Sequence, residues 1–522
     1  AAFLVGIPGG SMRRSASYAE QEKFFAFYLH DDWKITNKLT LNLGLRYEYE
    51  TPLTERYDRS VKGFAYDVSN PLEAAARANY ARSPIPELPV DRFRALGGLT
   101  FAGGAAGRSL WQGERNNFMP RLGLAWQLNP KTVLRTGYGM FFETIGTNRS
   151  SSIQTGFTQS TPIQASLDSG LTFIASTSNP FPRGLDQPLG AAGGLTTNLG
   201  QGLSFFPASR LQPYSQRWSF GLQRTLPQEF LLDVAYVGNR STRSSVDRAL
   251  NFTPGQYLSR SPERDQATID FLSAQVPNPF FGLNPIYGRN TSRGSLLRQY
   301  PHFGGISVTD PIGYSWYHSL QVRSEKRFAK GYTFQLAYTW SKLMEASEYL
   351  NDSDTRLYEV ISGFDRTHRV AVSGIFELPF GKGRRFASTI PGFVDQIVGG
   401  WQINAVVQRQ SGQPLGFGNA IFRGNLKDIA LSKDRKSVDR WFNTDAGFER
   451  NTARQLGSNL RTAPLRYSGI RGDGQARWDF SAIKYFPIRE RLKLQFRAEC
   501  YNAWNHPNLN NPNTTPTNSS FG

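Results

Sequence analysis

Residues 31–50, DDWKITNKLTLNLGLRYEYE, hold the clearest alternation of apolar and polar positions in the chain. Apolar or aromatic residues occupy every second position from Leu39 to Tyr49, and polar or small residues lie between them. Successive side chains of a β-strand point to opposite faces, so the stretch predicts a strand with one apolar face. About 9 to 11 tilted residues span a bilayer, whereas strands of soluble proteins usually have about 5 or 6. The length of the pattern therefore predicts a membrane-spanning strand.

The same alternation recurs in pairs of segments separated by turn residues, which is the signature of β-hairpins. Twelve strands are predicted in six hairpins: 24–33 with 38–50, 117–128 with 133–143, 215–226 with 230–240, 318–328 with 332–342, 367–378 with 400–410, and 476–486 with 492–504. A short helix is predicted from Gly392 to Val398, between the two strands of the fifth hairpin. The sequence therefore predicts an all-β chain that forms an antiparallel, up-and-down transmembrane β-barrel.

The predicted connections alternate between short and long. Those within hairpins mostly contain a few residues, whereas those between hairpins include 51–116, 144–213, 241–317 and 411–475. In outer-membrane barrels the short turns lie on the periplasmic side and the longer loops outside. We therefore expect the four long loops to lie together outside the cell and to select any substrate.

The apolar positions of the strands are predicted to face lipid, and their neighbours a wet interior. The residues chosen as lipid-facing are Leu39, Leu41, Leu43, Leu45, Leu122, Leu124, Phe334, Leu336, Leu494 and Phe496. Aromatic side chains are favoured at both membrane–water interfaces. Two aromatic belts are predicted from Trp33, Tyr47, Tyr49, Trp126, Phe142, Tyr236, Tyr338, Trp340 and Trp504. The alternative is that these side chains pack the core of a β-sandwich.

Composition supports the barrel over other membrane and binding classes. The 522 residues include 50 Gly, 30 Pro and 69 aromatic residues (37 Phe, 22 Tyr and 10 Trp), which suit turns, sheet curvature and interfacial rings. No segment approaches the roughly 18 consecutive apolar residues of a transmembrane helix. The net charge of +19 is spread over the chain, with basic pairs such as Arg13-Arg14 rather than long runs. We therefore expect contact with anionic lipid headgroups and no nucleic-acid partner.

Candidate catalytic and metal-binding residues do not form a recognisable pattern. Cys500 is the only cysteine, which excludes an internal disulfide, and it is expected to pack within a strand. The five histidines are scattered and make no HExxH motif. The run 351–354, NDSD, lacks the Gly and Glu of a calcium loop, which leaves plain solvation or a loop cation site. The sequence thus predicts no enzyme, no cofactor and no metal.

Six segments, in order along the chain, resemble the barrel of TonB-dependent outer-membrane receptors of the Oar-like type. They are FYLHDDWKITNKLTLNLGLRYE, NNFMPRLGLAWQL, LAYTWSK, DRTHRVAVSGIFELPFGKGRRF, GGWQINAVVQRQSGQP and FPIRERLKLQFRAECYNAWNHPN. The resemblance implies a transporter of the cell outer membrane of Gram-negative bacteria that imports a large or scarce substrate. It also implies outer-membrane lipid, a plug domain, the TonB complex and an extracellular substrate, such as a carbohydrate or peptide, as partners.

The chain departs from this family pattern at both ends. Residues 1–23 are expected to be a preceding loop or linker, 24–504 a partial barrel, and 505–522 a polar loop before a missing closing strand. No signal peptide, plug or TonB box precedes residue 24, and twelve strands are predicted where transporters of this class close with 22. We therefore expect a fragment of the barrel. The alternatives are a surface adhesin or assembly protein that uses the barrel as a platform for its loops, and a soluble carbohydrate-binding β-protein.

Overall fold

The computed structural model describes residues 6–145, 152–166, 172–489 and 491–522. Its main element is one large sheet with twelve long strands. They are β1 (Phe24–Thr36), β2 (Leu39–Glu50), β3 (Asn117–Asn129), β4 (Thr132–Phe142), β5 (Tyr214–Thr225), β6 (Phe230–Ala249), β7 (Ile306–Ala329), β8 (Tyr332–Ala346), β9 (His368–Glu377), β10 (Trp401–Gln410), β11 (Gln475–Arg489) and β12 (Leu492–Cys500).

Each long strand pairs antiparallel with its neighbours in chain order, from β1 to β12. The predicted antiparallel, up-and-down order is therefore confirmed. Within the described residues β1 and β12 are not paired with each other, so the sheet has two edges. Residue 490, between the predicted strands 476–486 and 492–504, lies outside the described residues.

The strand register places the alternating apolar positions on one continuous face. Leu41 lies opposite Trp33 on one side and Leu124 on the other, and the polar Asn42 lies opposite Asp32 and Gly123. Since directly opposed residues of an antiparallel pair point to the same side, the two kinds of position stay separated across the sheet. We call these two sides the apolar face and the polar face.

Most strand bounds agree with the sequence pattern within a few residues, and the predicted helix at Gly392–Val398 is confirmed. The third long loop is shorter than the predicted range 241–317, because β6 continues to Ala249 and β7 begins at Ile306. These extensions pair with each other through an irregularity beside Arg243, whose φ is +62°. They bury Val246 and Val308 at 2% exposure each, which stabilises them without a sustained apolar alternation.

Shorter elements lie in the segment before β1 and in the connections between the long strands. The helices are α1 (Glu73–Tyr80), α2 (Gln266–Ser273), α3 (Arg293–Leu296) and α4 (Gly392–Val398), and the 3-10 turns are Gly104–Ala106, Gly190–Thr196, Pro227–Glu229, Gly255–Tyr257, Leu426–Asp428, Lys433–Arg435 and Thr452–Arg454. The short strands are Ser11–Ser15, Glu20–Gln21, Thr54–Glu55, Val61–Phe64, Leu99–Phe101, Thr158–Pro162, Leu203–Phe205, Gln275–Pro277, Asn290–Ser292, Val360–Ile361, Pro414–Leu415 and Tyr467–Arg471. None of the described helices has the length and apolar composition to cross a membrane.

The hydrophobic cores of the described chain lie mainly in the long connections. One core combines residues of 51–116, 143–213 and 300–308, and a second combines 51–116 with 250–305. A third combines residues of 411–474 with Phe521, and a fourth joins the first two connections. The long connections therefore fold together at one end of the sheet, and we call this assembly the loop cap.

The segments that flank the sheet also pack on the loop cap. The strand Ser11–Ser15 pairs with Thr158–Pro162, and Glu20–Gln21 pairs with Thr54–Glu55. At the other end, the side chain of Phe521 is buried in the third core. The described parts of the segments expected as a linker and a polar loop thus hold ordered contacts with the cap.

Candidate ligand-binding cleft in the loop cap

The register brings the predicted lipid-facing and belt residues together on the apolar face. Rows of directly opposed residues connect neighbouring strands, as in Leu43 with Leu122 and Trp340 with Leu320. Trp504 is the exception, because β12 ends at Cys500 and Trp504 lies in the turn that follows. A lipid-facing surface requires that its apolar side chains lie on one side of the sheet, and the register meets this requirement. Contact of this face with lipid stays a prediction.

On the polar face, charged side chains pair along single strands. Arg323 lies 2.8 Å from Glu325, Arg477 lies 2.7 Å from Asp479, and Arg497 pairs with Glu499. Residues two positions apart on a strand point to the same side, which allows these contacts. Ion pairs and hydrogen-bonding groups suit a face in contact with water or with another polar domain.

The turn end of the apolar face holds two lysines that bond to backbone. The Nζ of Lys326 donates to the carbonyl of Ala329 at 2.8 Å and lies 3.9 Å from the ring centroid of Tyr332. The Nζ of Lys484 donates to the carbonyl of Gly399 at 2.5 Å. Both residues are 2% exposed, so their stems cover apolar surface while the turns satisfy their charged tips.

The loop end of the same face holds two tyrosine–histidine pairs. The hydroxyl of Tyr236 lies 2.7 Å from Nδ1 of His318, and that of Tyr338 lies 2.8 Å from Nδ1 of His368. The rings of each pair are nearly parallel. Both tyrosines belong to the predicted aromatic belt, and the pairs give this end of the face a polar, hydrogen-bonded edge.

A cleft of about 1080 Å³ lies between four of the long connections of the loop cap. Its lining includes residues 202–204, the strand ends at Ala249 and Ile306, and the run 351–353. Amide, hydroxyl and guanidinium groups alternate there with apolar side chains such as Phe252 and Leu258. Concave sites with a few convergent polar groups are the usual form of ligand sites in proteins.

Asn251 fixes the wall of this cleft next to the end of β6. Its side-chain amide donates to the carbonyls of Tyr300, Phe303 and Gly304 at 3.0, 3.2 and 2.6 Å. Its side-chain oxygen accepts from the N–H of Tyr300 at 3.0 Å. Asn251 is 5% exposed, so these bonds tie the returning part of the third long connection to β6 in a dry environment.

Asn351 joins the connection between β8 and β9 to the connection between β10 and β11 across the cleft. Its Oδ1 accepts from the N–H of Arg461 at 2.6 Å, and its Nδ2 donates to the Arg461 carbonyl at 3.2 Å. The Asp354 carboxylate accepts from the N–H of Asn351 at 2.9 Å, which closes a tight turn. The NDSD run therefore orders the cleft, and the exposed Asp352 lies in its lining.

Two arginines give the cleft positive charge. Burial lowers the pKa of Arg461, whose guanidinium donates to the carbonyls of Ala463 and Pro464 at 2.8 and 3.0 Å. The Nε of Arg298 is buried without a hydrogen-bond partner among the described residues. An incoming acceptor group would satisfy this donor, because unpaired buried polar groups are costly.

The described residues contain no cluster of three or more His, Cys, Asp or Glu side chains with metal-site geometry. The thiol of Cys500 is exposed on the apolar face of the edge strand β12, so the expectation that it packs was wrong. Asp32 accepts hydrogen bonds from Asn42 and His30, which gives it a structural role on the polar face. The chemistry available in the cleft is binding through hydrogen bonds and charge.

The entire chain, residues 1–522, matches the family described as an outer membrane beta barrel domain. The chain belongs to this family. The barrel domain is therefore a protein of the cell outer membrane. A comparison with curated proteins gives no match.

Solved structures similar to the barrel domain include two transporters and a receptor. The outer membrane transporter YddB from Escherichia coli is 10% identical, with a TM-score of 0.41, over 94% of this chain and 51% of its own. The alcaligin receptor FauA from Bordetella pertussis is 9% identical (TM-score 0.35; 93% and 44%), and the FrpB iron transporter from Neisseria meningitidis is 10% identical (0.36; 97% and 53%). The barrel domain thus spans about half the length of these proteins.

Sequence reasoning located the long connections but not the side chains that build the cleft. Asn251 and Arg461 lie in stretches without periodicity, and an isolated Asn or Arg in a loop is not distinctive. The NDSD run of 351–354 was the one available signal, and it marks a turn that orders the cleft of the barrel domain.

Proposed function

We propose that residues 24–504 form the membrane-spanning part, with its loops, of a TonB-dependent receptor of the Oar-like type. In this proposal the apolar face contacts lipid, and the loop cap lies outside the cell. The main support is the strand register, which collects the alternating apolar side chains of twelve strands on one face. A plug domain and the TonB complex would be the partners that make import possible.

We propose the cleft of the loop cap as the site that captures the substrate. Its hydroxyl, amide and guanidinium groups suit a ligand rich in hydroxyl or amide groups, such as a carbohydrate or a peptide. Packed cores hold the cleft walls in place, which lowers the entropy lost on binding. A substrate bound there would be held before it passes the barrel.

The test uses cells that produce the protein and are exposed to fluorescent oligosaccharides and peptides. Two quantities are measured with and without a working TonB complex: the probe bound at the cell surface, and the probe that has crossed the outer membrane and accumulates on its inner side. We expect Asp352→Ala in the cleft to reduce binding several-fold, whereas Asp91→Ala, an exposed loop residue outside the cleft, leaves it unchanged. We expect loss of TonB to abolish accumulation and to preserve binding.

Accumulation that continues without TonB would contradict the transport proposal. Binding without accumulation, even with TonB present, would instead favour a surface adhesin. Equal binding by both aspartate variants would remove the cleft from the proposal.

A further inference from the structure

A second groove, of about 520 Å³, lies at the loop end of the apolar face over β8 to β10. Tyr338, Val370 and Arg409 oppose one another in a single register row and form its floor. Lys436 and Trp441, from the connection between β10 and β11, line the groove beside this row. The groove therefore lies where the apolar face meets the loop cap.

Basic side chains dominate this groove. Arg409, Lys433 and Lys436 line it, and Asp473 is the carboxylate in the same lining. In the part of the chain that the structure describes, none of the three cations is in an ion pair. The Nζ of Lys436 lies 4.6 Å from the ring centroid of Trp441, and burial lowers the pKa of Lys436. An anion that entered would stabilise these charges.

At the turn end of the apolar face, the cations are already bonded and buried. Lys326 and Lys484 donate to turn carbonyls there and are almost fully buried. Arg409 and Lys433, in contrast, are exposed. Cations available to an external anion are thus found in the groove at the loop end, beside the aromatic belt residue Tyr338.

We propose that this groove binds the phosphate group of a lipid in the outer leaflet of the membrane. The acyl chains would lie on the apolar rows below the groove, where Leu336 and Val372 oppose each other. A lipid satisfies both features at once, since its headgroup meets the cations and its chains cover the apolar face. The inference rests on the proposed lipid contact of the apolar face.

The experiment uses the full chain in phosphatidylcholine vesicles with added phosphatidic acid. In separate samples, one of the two lipids carries brominated acyl chains. Comparing how strongly each brominated lipid quenches the tryptophan fluorescence gives the preference of the protein for phosphatidic acid over phosphatidylcholine. The groove variant combines Arg409→Gln, Lys433→Gln and Lys436→Gln. The matched control combines Arg369→Gln on the polar face of β9 with Lys427→Gln and Arg435→Gln in the same loop, none of which lines the groove.

We expect the preference for phosphatidic acid to fall about fivefold per charge removed from the groove, and to persist in the control. An unchanged preference in the groove variant, or an equal loss in the control, would overturn the inference. Displacement of the lipid by an equal concentration of inorganic phosphate would also overturn it, because the site would then hold a soluble anion. Should the triple variant not fold, Arg409→Gln against Arg369→Gln makes the same comparison.

The two proposals fail separately in this experiment. Absent quenching by brominated phosphatidylcholine would show that the apolar face does not contact lipid, which contradicts the proposed function. Quenching without any dependence on the groove cations would contradict the lipid-phosphate site alone.

Discussion

At the scale of single residues, the loop cap depends on buried polar side chains that satisfy backbone groups. Asn251 is the clearest example, because its amide bonds with backbone groups of three residues of the returning chain. An apolar side chain of similar size cannot form these hydrogen bonds. The walls of the cleft are therefore set by residues that a hydrophobicity pattern does not reveal.

Asn251→Ala is expected to destabilise the loop cap by about 3 kcal/mol, since it leaves several buried backbone groups without partners. Limited proteolysis of the protein in detergent measures this through faster cleavage between 252 and 305. Asn419→Ala is the control, because Asn419 is exposed and makes one side-chain bond of 3.2 Å. Equal cleavage of both variants would argue against the role assigned to Asn251.

His302 makes the cap sensitive to acid. Its side chain is fully buried against the rings of Phe280 and Phe303, and burial lowers its pKa from 6.5 to about 4. Above pH 6.5 the ring is neutral in both the folded and the unfolded cap, so it has no effect. Between pH 6.5 and pH 4 only the unfolded cap takes up the proton, so stability falls as pH falls.

The loss of stability of the loop cap caused by His302 is expected to reach about 3 kcal/mol by pH 4. Thermal unfolding of the cap at pH 7 and pH 4.5 measures it, and His302→Leu is expected to reduce the difference between the two pH values. A variant that keeps the full pH dependence would assign the effect to other groups.

At the scale of elements, the cap is a set of short strands and helices joined by shared cores. The strand Leu203–Phe205 pairs in parallel with the start of β7, and the ring of Phe205 stacks on Phe64 at 5.3 Å. Phe205 therefore joins its own connection to the one that contains Phe64 and to the start of β7, three parts of the chain that are distant in sequence.

Phe205→Ala is expected to cost about 3 to 5 kcal/mol, because it removes a side chain that is 2% exposed and leaves a cavity. Hydrogen exchange would show this as faster exchange in 51–116 and 300–308, with the central strands unaffected. Leu189→Ala is the control, because Leu189 is 72% exposed. Exchange that stays slow around Phe64 would contradict a shared core.

The long strands were predictable from the sequence because half of each strand must be apolar, which fixes both the element and its register. The loop cap was not, because its cores combine residues such as Phe64, Phe205 and Tyr300 that are far apart in the chain. The extensions of β6 and β7 were missed for a related reason. Segment 241–249, STRSSVDRA, has no apolar alternation, and its pairing partner stabilises it as a strand.

At the scale of the whole molecule, one sheet with two chemically different faces supports a folded cap. Because Cys500 is the only cysteine, Cys500→Ser gives a background for placing single cysteines along β8. In bilayers, a water-soluble maleimide is expected to label positions 335, 337 and 339 and to spare 334, 336 and 338. Labelling that does not alternate would contradict a membrane-facing apolar side.

The shared cores of the cap also limit how recognition by this protein can diversify. A single connection transplanted from a relative would arrive without the side chains that its neighbours contribute, as Phe205 does for Phe64. Recombination of individual loops would therefore produce misfolded hybrids. New specificities would arise more readily by point substitution at the rim of the cleft, or by inheritance of the complete cap as one piece.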